Sequence, residues 1–156
     1  MDIKLLIMDV DGTLTDGKVY MGAAGEAMKC FDIKDGYGIA KLLPKYGITP
    51  AIITGRKSEI LLRRCEELKI THVYQGISEK TEKMNELMEL LHVSPEQTAY
   101  IGDDLNDLDC MKMAGVTGCP SDAVKGIKEY VDFVSTLPGG SGAVREFIEW
   151  LGTEKR

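Results

Sequence analysis

One segment near the start of the chain sets the architecture: IKLLIMDVDGT, residues 3–13. Its first six residues form a nearly continuous apolar run, which is typical of a strand buried on both faces of a parallel sheet. Side chains alternate along an extended chain, so Asp9 and Asp11 are expected to point the same way. Two carboxylates held together require a nearby cation or a retained proton. A plain Asp-Gly turn is the alternative interpretation.

Short apolar runs recur along the chain, at 51–53, 73–74, 99–101, 116 and 133–134. Between them, apolar residues follow the spacing of a helix face. These stripes are Ile39-Leu42-Leu43-Tyr46, Leu61-Cys65-Leu68 (a partial match), Met84-Leu87-Met88-Leu91 and Val144-Phe147-Ile148-Leu151. The alternation predicts an α/β fold with a doubly wound, Rossmann-like parallel sheet. With 156 residues and no linker, the chain is expected to form a single domain, 1–156.

The segment 18–33 breaks this alternation. Two β-like stretches, 19–21 and 28–33, flank the sequence GAAG at 22–25. A glycine-bounded turn between such stretches predicts a β-hairpin flap, inserted directly after the first strand. Its apolar residues exceed what a lone two-stranded ribbon can bury, so we expect them to pack against other hairpins.

A second acidic cluster, GDDLND at 102–107, follows the fourth predicted strand of the sheet. An aspartate-rich helix N-terminus is one interpretation, because the helix dipole favours negative charge there. However, both acidic clusters follow strands, and open α/β sheets build their sites at the carboxyl ends of strands. Together the clusters offer the hard oxygen ligands that Mg²⁺ prefers. We therefore expect a magnesium site at this edge.

Two further features lie at equivalent places, TGR at 54–56 and Lys80. The hydroxyl of Thr54 and the free backbone N–H groups after it can hold phosphate oxygens. Lys80 is predicted in the first turn of a helix, where a cation opposes the helix dipole. A solvated surface lysine is the alternative, but the electrostatic misfit indicates an anion nearby. By contrast, neither histidine shows the spacing of a metal site or a catalytic triad.

Composition limits the partners of the chain. The formal net charge is -6, which argues against nucleic-acid and membrane partners, since both favour basic surfaces. The four cysteines form no CxxC pair, as expected for small core residues in a reducing, cytoplasmic setting. Charged residues interrupt the N-terminal apolar run, so we expect no signal peptide, and no apolar stretch is long enough to span a bilayer.

Taken in order, DVDGT at 9–13, Thr54, Lys80 and GDD at 102–104 resemble the four motifs of the haloacid dehalogenase superfamily. Within it, the chain is similar to the family of 3-deoxy-D-manno-octulosonate 8-phosphate phosphatases. The segments that carry this likeness are FDIKDGYGI at 31–39, TGRKS at 54–58, YQG at 74–76 and GGSGAVRE at 139–146. The superfamily inserts cap domains in two gaps, and both are too short here, so a capless member is expected.

The resemblance implies a role for each motif residue. Asp9 would attack phosphorus and form an aspartyl-phosphate. Asp11 would protonate the leaving alkoxide and then activate water for the second half-reaction. Thr54 and Lys80 would hold the phosphoryl oxygens.

The same resemblance implies a metal site and a substrate site. The Mg²⁺ ligands would be Asp9, Asp11 (through its backbone carbonyl) and Asp103, supported by their neighbours Asp104 and Asp107. The candidate substrate-binding residues are Arg56, Thr13, Gly55, Lys34 and Arg145. An arginine fork suits a carboxylate, so Arg56 is expected to recognise the sugar acid rather than drive the chemistry.

An assembly is also implied. The partner would be a small sugar-acid phosphate, a precursor of lipopolysaccharide. Four copies would join through their hairpins into a homotetramer. The glycine-rich segment 139–142 of one subunit would approach a neighbour's site, so that active sites are shared. A loop that only leads into a helix is the alternative for this segment.

Other functions stay open at this point. Phosphatases of 2-keto-3-deoxynononate 9-phosphate resemble the chain in most motifs but carry an acidic residue in place of Arg56. A phospho-accepting receiver domain has a similar sheet and similar residues. Its phosphorylated aspartate ends the third strand, where this chain has Gln75-Gly76. An inactive relative serving in assembly is the last alternative, although every catalytic position is filled.

Overall fold

The computed structural model describes residues 1–154. Its strands are β1 (Leu5–Met8), β2 (Tyr20–Gly22), β3 (Gly25–Met28), β4 (Thr49–Ile53), β5 (His72–Tyr74), β6 (Thr98–Ile101), β7 (Val116–Cys119) and β8 (Phe133–Val134). Its helices are α1 (Ile33–Tyr37), α2 (Leu43–Tyr46), α3 (Glu59–Leu68), α4 (Lys80–Leu91), α5 (Leu108–Met113), α6 (Lys125–Lys128) and α7 (Ala143–Glu154). A π-helical turn, Gly38–Leu42, joins α1 to α2, and 3₁₀ turns lie at Pro95–Gln97 and Leu105–Asp107.

Within residues 1–154, six strands form one parallel sheet in the order β5-β4-β1-β6-β7-β8. The chain winds outward from β1 through β4 to β5, then crosses back and winds the other way from β6. This reversal leaves a crevice at the carboxyl ends of the central strands, where doubly wound folds bind ligands. The predicted α/β architecture is confirmed.

Two apolar cores cover the two faces of the sheet. Leu6 and Met8 of β1 pack into one core with α2, α3 and α7, while Leu5 and Ile7 pack into the other with α4, α5 and α6. All four side chains are fully buried, and each contributes roughly 1.5–3 kcal/mol of burial free energy. This double burial explains why the first strand is apolar throughout, and it fixes the residues that follow β1 at the crevice.

The hairpin after β1 is formed by β2 and β3, which pair antiparallel and close at Gly22 and Gly25. The predicted extent of its second arm was wrong, since that strand covers 25–28 rather than 28–33. Asp32 accepts a hydrogen bond from the Lys34 backbone N–H at 2.6 Å and caps α1. The cap starts a helix inside the stretch that apolar content alone had favoured as a strand.

The two places where cap domains are inserted in this superfamily hold only small elements in residues 1–154. One holds the hairpin, and the other holds α3 and β5. The expectation of a capless fold is confirmed for the described chain. None of its helices is long and apolar enough to cross a membrane.

Candidate active site

Three loops meet at the carboxyl edge of the sheet. Asp9 follows β1, Thr54 follows β4, and Asp103 lies two residues after β6. Because β1 pairs with both β4 and β6, these loops are direct neighbours. Gly12 turns the loop after β1 at a φ of +87°, and a Cβ there would lie 2.0 Å from Oδ2 of Asp103. A side chain at this position would push the two acidic clusters apart.

Lys80 is the buried cation of this edge. It begins α4, is 6% exposed, and its Nζ donates to Oδ1 of Asp9 at 3.0 Å and to Oδ1 of Asp107 at 2.8 Å. Burial alone would lower the pKa of Lys80, but the two carboxylates outweigh burial and raise this pKa to about 12. The interpretation as a solvated surface lysine is therefore wrong, and these carboxylates offset the unfavourable helix dipole.

Asp107 is fully buried and organises the loop around it. Its Oδ1 accepts from Lys80 and from the Tyr100 hydroxyl at 2.7 Å. Its Oδ2 accepts from the backbone N–H groups of Asp103 at 3.2 Å and Asp104 at 3.5 Å. Since both oxygens already have donors, Asp107 holds Lys80 and the acidic loop in place.

Asp9, Asp103 and Asp107 each offer a carboxylate oxygen, and these oxygens lie within 4.8 Å of one another. Burial, followed by the Asp107 charge, raises the pKa of Asp9 to about 6. Burial, followed by the charges of Asp9 and Asp107, raises the pKa of Asp103 to about 8. One ammonium does not balance three carboxylates, so the donor set fits a divalent cation, which would supply the missing positive charge. Asp107 has donors on both oxygens, whereas Lys80 contacts Asp9 through Oδ1 and does not contact Asp103, so Asp9 and Asp103 are the carboxylates better placed to bind the cation.

A cavity of about 300 Å³ opens above this cluster. It brings together most of the residues predicted from the sequence, namely Asp9, Asp11, Thr54, Gly55, Arg56, Asp103 and Asp104, and it adds Gly17 and Asn106. Thr13 lies beneath the cavity, fully buried, with its hydroxyl 3.5 Å from Oδ1 of Asp103. Asp104 also accepts from the Leu105 N–H at 2.7 Å, which caps the following turn.

The hairpin contacts two residues of the cavity wall, Asp11 and Arg56, through residues that the sequence analysis did not single out. Nζ of Lys29 lies 2.7 Å from Oδ1 of Asp11 and 3.0 Å from Oε2 of Glu26. Glu26 also accepts from the Ser58 hydroxyl at 2.6 Å and pairs with the Arg56 guanidinium at 3.3 Å. Burial disfavours the ionised form of Glu26, but these hydrogen bonds and cations outweigh it and lower the pKa of Glu26.

Lys34 and Arg145 do not line the cavity of their own chain. Arg145 begins the exposed face of α7, where its Nε donates to Glu149 at 2.7 Å and its guanidinium lies 5.1 Å from the Tyr37 ring centroid. Its backbone N–H donates to Asp35. The assignment of Lys34 and Arg145 to substrate binding stays a prediction, and it requires a second copy of the chain.

The glycine-rich segment 139–142 packs against the loop after β1 of its own chain. The Gly140 N–H donates to the Thr13 carbonyl at 3.2 Å. A Cβ at Gly139 would lie 2.0 Å from the Gly12 carbonyl oxygen. The segment therefore packs against and supports the loop that carries Asp9 and Asp11. Its approach to a neighbour's site stays a prediction.

Besides Asn106, the polar contributors that the sequence did not predict include Tyr100, Glu26 and Lys29. A tyrosine in a buried strand needs a partner for its hydroxyl, which is a usable sign of a polar network at the end of β6. Glu26 and Lys29 are the two charged residues of the stretch 19–31, and their charges are opposite. Their spacing of three hides their common target, because residues three apart on a regular strand face opposite sides.

Comparison with known proteins gives consistent matches. Residues 37–119 match the family model described as haloacid dehalogenase-like hydrolase. The 3-deoxy-D-manno-octulosonate 8-phosphate phosphatase of Escherichia coli (strain K12) is 46% identical over 150 residues, which cover 96% of this chain and 79% of the relative.

Two crystal structures are similar along nearly the whole chain. That of the 3-deoxy-D-manno-octulosonate 8-phosphate phosphatase from Yersinia pestis has a TM-score of 0.93 and 44% identity, covering 99% of this chain and 84% of the other. That of the Moraxella catarrhalis phosphatase, in complex with a magnesium ion, a phosphate ion and KDO, has a TM-score of 0.92 and 39% identity. The match covers 97% of this chain and 87% of the other.

Proposed function

Because the chain belongs to the haloacid dehalogenase-like hydrolase family, we propose that it hydrolyses 3-deoxy-D-manno-octulosonate 8-phosphate to the free sugar acid and phosphate. Membership confirms the superfamily recognised in the sequence and the expectation of an enzyme. The observation that carries the proposal is the position of Asp9 on the cavity wall, beside Asp103 and the buried ammonium of Lys80. The names of the relatives support the substrate, and its place in lipopolysaccharide synthesis belongs to the same proposal.

The reaction proceeds in two halves. A carboxylate oxygen of Asp9 forms a bond to phosphorus as the bond from phosphorus to the sugar oxygen breaks. Asp11 gives its proton to the departing alkoxide, which is a poor leaving group without one. Water then attacks phosphorus and loses a proton to Asp11, and inorganic phosphate leaves the Asp9 carboxylate free. Thr54 and Lys80 hold the phosphoryl oxygens in this proposal: Thr54 is buried on the cavity wall, and Lys80 does not line the cavity but donates to Asp9, which does.

The cofactor is Mg²⁺, held in this proposal by Asp9, Asp103 and the backbone carbonyl of Asp11. Its support is the excess of buried carboxylates over cations and the magnesium ion in the structure of the Moraxella catarrhalis relative. When bound, Mg²⁺ supplies positive charge beside the phosphoryl group and so offsets the repulsion between two anions.

Arg56 is the residue that selects a sugar acid. Its side chain is 43% exposed at the cavity and pairs with Glu26, so the guanidinium is held in place yet accessible. A guanidinium fork matches a carboxylate, and a sugar acid carries one far from its phosphate. The eight-carbon acid is favoured over the nine-carbon acid, because phosphatases of the latter carry an acidic residue here.

We further propose a homotetramer that assembles through the hairpins and shares its active sites, located in the cytoplasm. The support is the apolar surface of the flap: Met21, Met28 and Ile33 are 66%, 56% and 82% exposed. Water-exposed apolar side chains so close together are typical of an interface. Light scattering tests the assembly, and a monomeric mass with full activity contradicts it.

A phosphate-release assay tests the function. The purified chain is given a panel of sugar phosphates, including both sugar-acid phosphates, with and without Mg²⁺. We expect the highest kcat/KM on the eight-carbon sugar acid, and only with the metal. Preference for the nine-carbon acid would change the substrate, whereas no release from any ester would overturn the proposed function.

A further inference from the structure

Lys29 is a buried cation that the reaction described above does not use. It directly follows β3, and its side chain is 4% exposed. Its ammonium lies 2.7 Å from Oδ1 of Asp11 and 3.0 Å from Oε2 of Glu26. A lysine so enclosed gives up most of its hydration and its rotamer freedom, so a merely solubilising role does not account for it.

A β-bulge in the hairpin places the side chain of Lys29 on the side where Asp11 lies. Tyr20 pairs with Met28 and Met21 pairs with Glu26, so the register shifts and leaves one extra residue, Ala27, on the second strand. An extra residue reverses the alternation of side chains. Glu26 and Lys29 therefore contact each other on one side of the hairpin, the side that faces Asp11 and Arg56.

Glu26 connects this strand of the hairpin to the segment after β4, through Arg56 and Ser58. Its Oε1 accepts from the Ser58 hydroxyl at 2.6 Å, and its Oε2 pairs with Arg56 at 3.3 Å. Ser58 is the N-cap of α3, a fixed point on the body of the fold. The ammonium of Lys29 thus forms two ion pairs, one with the carboxylate of Glu26, which Ser58 and Arg56 hold in place, and one with Asp11.

We propose that Lys29 is the positioning residue for Asp11: it fixes Oδ1 of that carboxyl group and leaves Oδ2 to exchange a proton with the leaving group. The inference rests on the proposed phosphatase function and deepens it. As the phosphorus–oxygen bond to the alcohol breaks, the proton passes from Oδ2 of Asp11 to the ester oxygen, and Lys29 keeps its own protons throughout. Without Lys29, Asp11 still has its carboxyl group, but the orientation of that group toward the leaving group is no longer fixed.

Leaving groups of different acidity separate this role from a structural one. The wild type, Lys29→Met and Asp11→Asn are assayed with Mg²⁺ on p-nitrophenyl phosphate, whose leaving group needs no proton, and on alkyl phosphates, which need one. General acid catalysis contributes about 10²–10⁴-fold. We expect Lys29→Met to lower kcat/KM, which reports on the first half-reaction alone, by at least about tenfold on alkyl esters and by less than about threefold on the nitrophenyl ester.

A double-variant cycle completes the test. If Lys29 acts through Asp11, adding Lys29→Met to Asp11→Asn lowers kcat/KM on the alkyl esters by no more than about twofold further, since coupled residues are not additive. Lys29→Arg should recover part of the alkyl-ester activity, and Lys112→Met, at an exposed ion pair with Asp109, should match the wild type. Should Lys29→Met fail to fold, Lys29→Gln takes its place in every comparison.

The outcomes distinguish the two proposals. Equal losses on both classes of ester, or additive losses in the double variant, overturn the positioning role while leaving the phosphatase intact. Absence of wild-type activity on every ester overturns the phosphatase function, and this inference with it.

Discussion

The sheet edge and the hairpin both face the cavity, but they are built differently. At the edge, Asp9, Lys80 and Asp107 are at most 6% exposed, and hydrogen bonds from separate elements hold them. The hairpin has strands of three and four residues, exposes two methionines, and contacts Asp11 of the cavity wall through Lys29. A packed edge can hold like charges together for chemistry, whereas a short ribbon is stable only through contacts with the rest of the fold.

The largest effect is expected where the edge carries the chemistry. Asp9→Asn should fold normally yet lose turnover by at least about 10³-fold, because an amide is not a nucleophile. Steady-state phosphate release measures the loss, and circular dichroism checks the fold. Retention of more than a tenth of wild-type activity would remove Asp9 from this role.

A smaller effect is expected at the metal site. Asp103→Ala should raise the Mg²⁺ concentration needed for half-maximal activity by roughly 10- to 100-fold, since losing a carboxylate weakens a site with few protein ligands. Activity in excess chelator should vanish and return with Mg²⁺, while Ca²⁺ restores it poorly. Asp109→Asn, on the exposed face of α5, serves as the control. Full activity in chelator would contradict a metal-dependent edge.

Substrate recognition should depend on Arg56, which the hairpin holds in place through Glu26. Arg56→Ala removes a charge-assisted contact worth about 2 kcal/mol, so kcat/KM on the sugar-acid phosphate should fall roughly 30-fold. On p-nitrophenyl phosphate, which has no carboxylate, the change should stay within about threefold. Equal losses on the two substrates would place Arg56 in the chemistry instead.

The last prediction concerns stability rather than activity, at the point where the hairpin enters the body of the fold. Asp35, in α1, is 2% exposed; its Oδ1 accepts from the Arg145 N–H at 2.8 Å, while its Oδ2 has no hydrogen-bond partner among the described residues. Burial, opposed by backbone hydrogen bonds and by Arg64 and reinforced by Asp32, raises the pKa of Asp35 from 3.8 to about 6.

The folded chain thus keeps the Asp35 proton up to about pH 6, whereas the unfolded chain releases it near pH 3.8. The contribution of Asp35 to stability is therefore present at low pH and is lost as pH rises from about 4 to 6, by at most about 3 kcal/mol. Asp35→Asn should be the more stable protein above pH 6 in urea unfolding at fixed Mg²⁺. Parallel pH profiles for the two proteins would contradict this account.

The sequence was sufficient for the edge because the edge obeys simple rules. Apolar runs predicted the strands, and polar residues that follow strands predicted a candidate site, so the sequence placed Asp9, Thr54 and Asp103 at the edge where they line one cavity. Tyr100 was read as part of an apolar run, since nothing local shows which partner its hydroxyl finds.

The same rules did not predict the details of the hairpin, for reasons that can be identified. A single extra residue in β3 changes which side chains face the cavity, and no pattern of period two reveals it. Asp32 ended the extended chain early by capping a helix. Lys34 and Arg145 were assigned to substrate binding through resemblance alone. Within one chain neither residue lines the cavity, and Arg145 contacts Glu149 and Tyr37 instead.

The most direct test of the central claim is to trap the phosphoryl group on Asp9. The chain is mixed with the sugar-acid phosphate and Mg²⁺, quenched in acid within one turnover, reduced with borohydride and digested with trypsin. The account predicts homoserine at position 9 in the peptide of residues 5–18, and none in Asp9→Asn. Turnover at the wild-type rate with position 9 unmodified, or with the label at another residue, would contradict it.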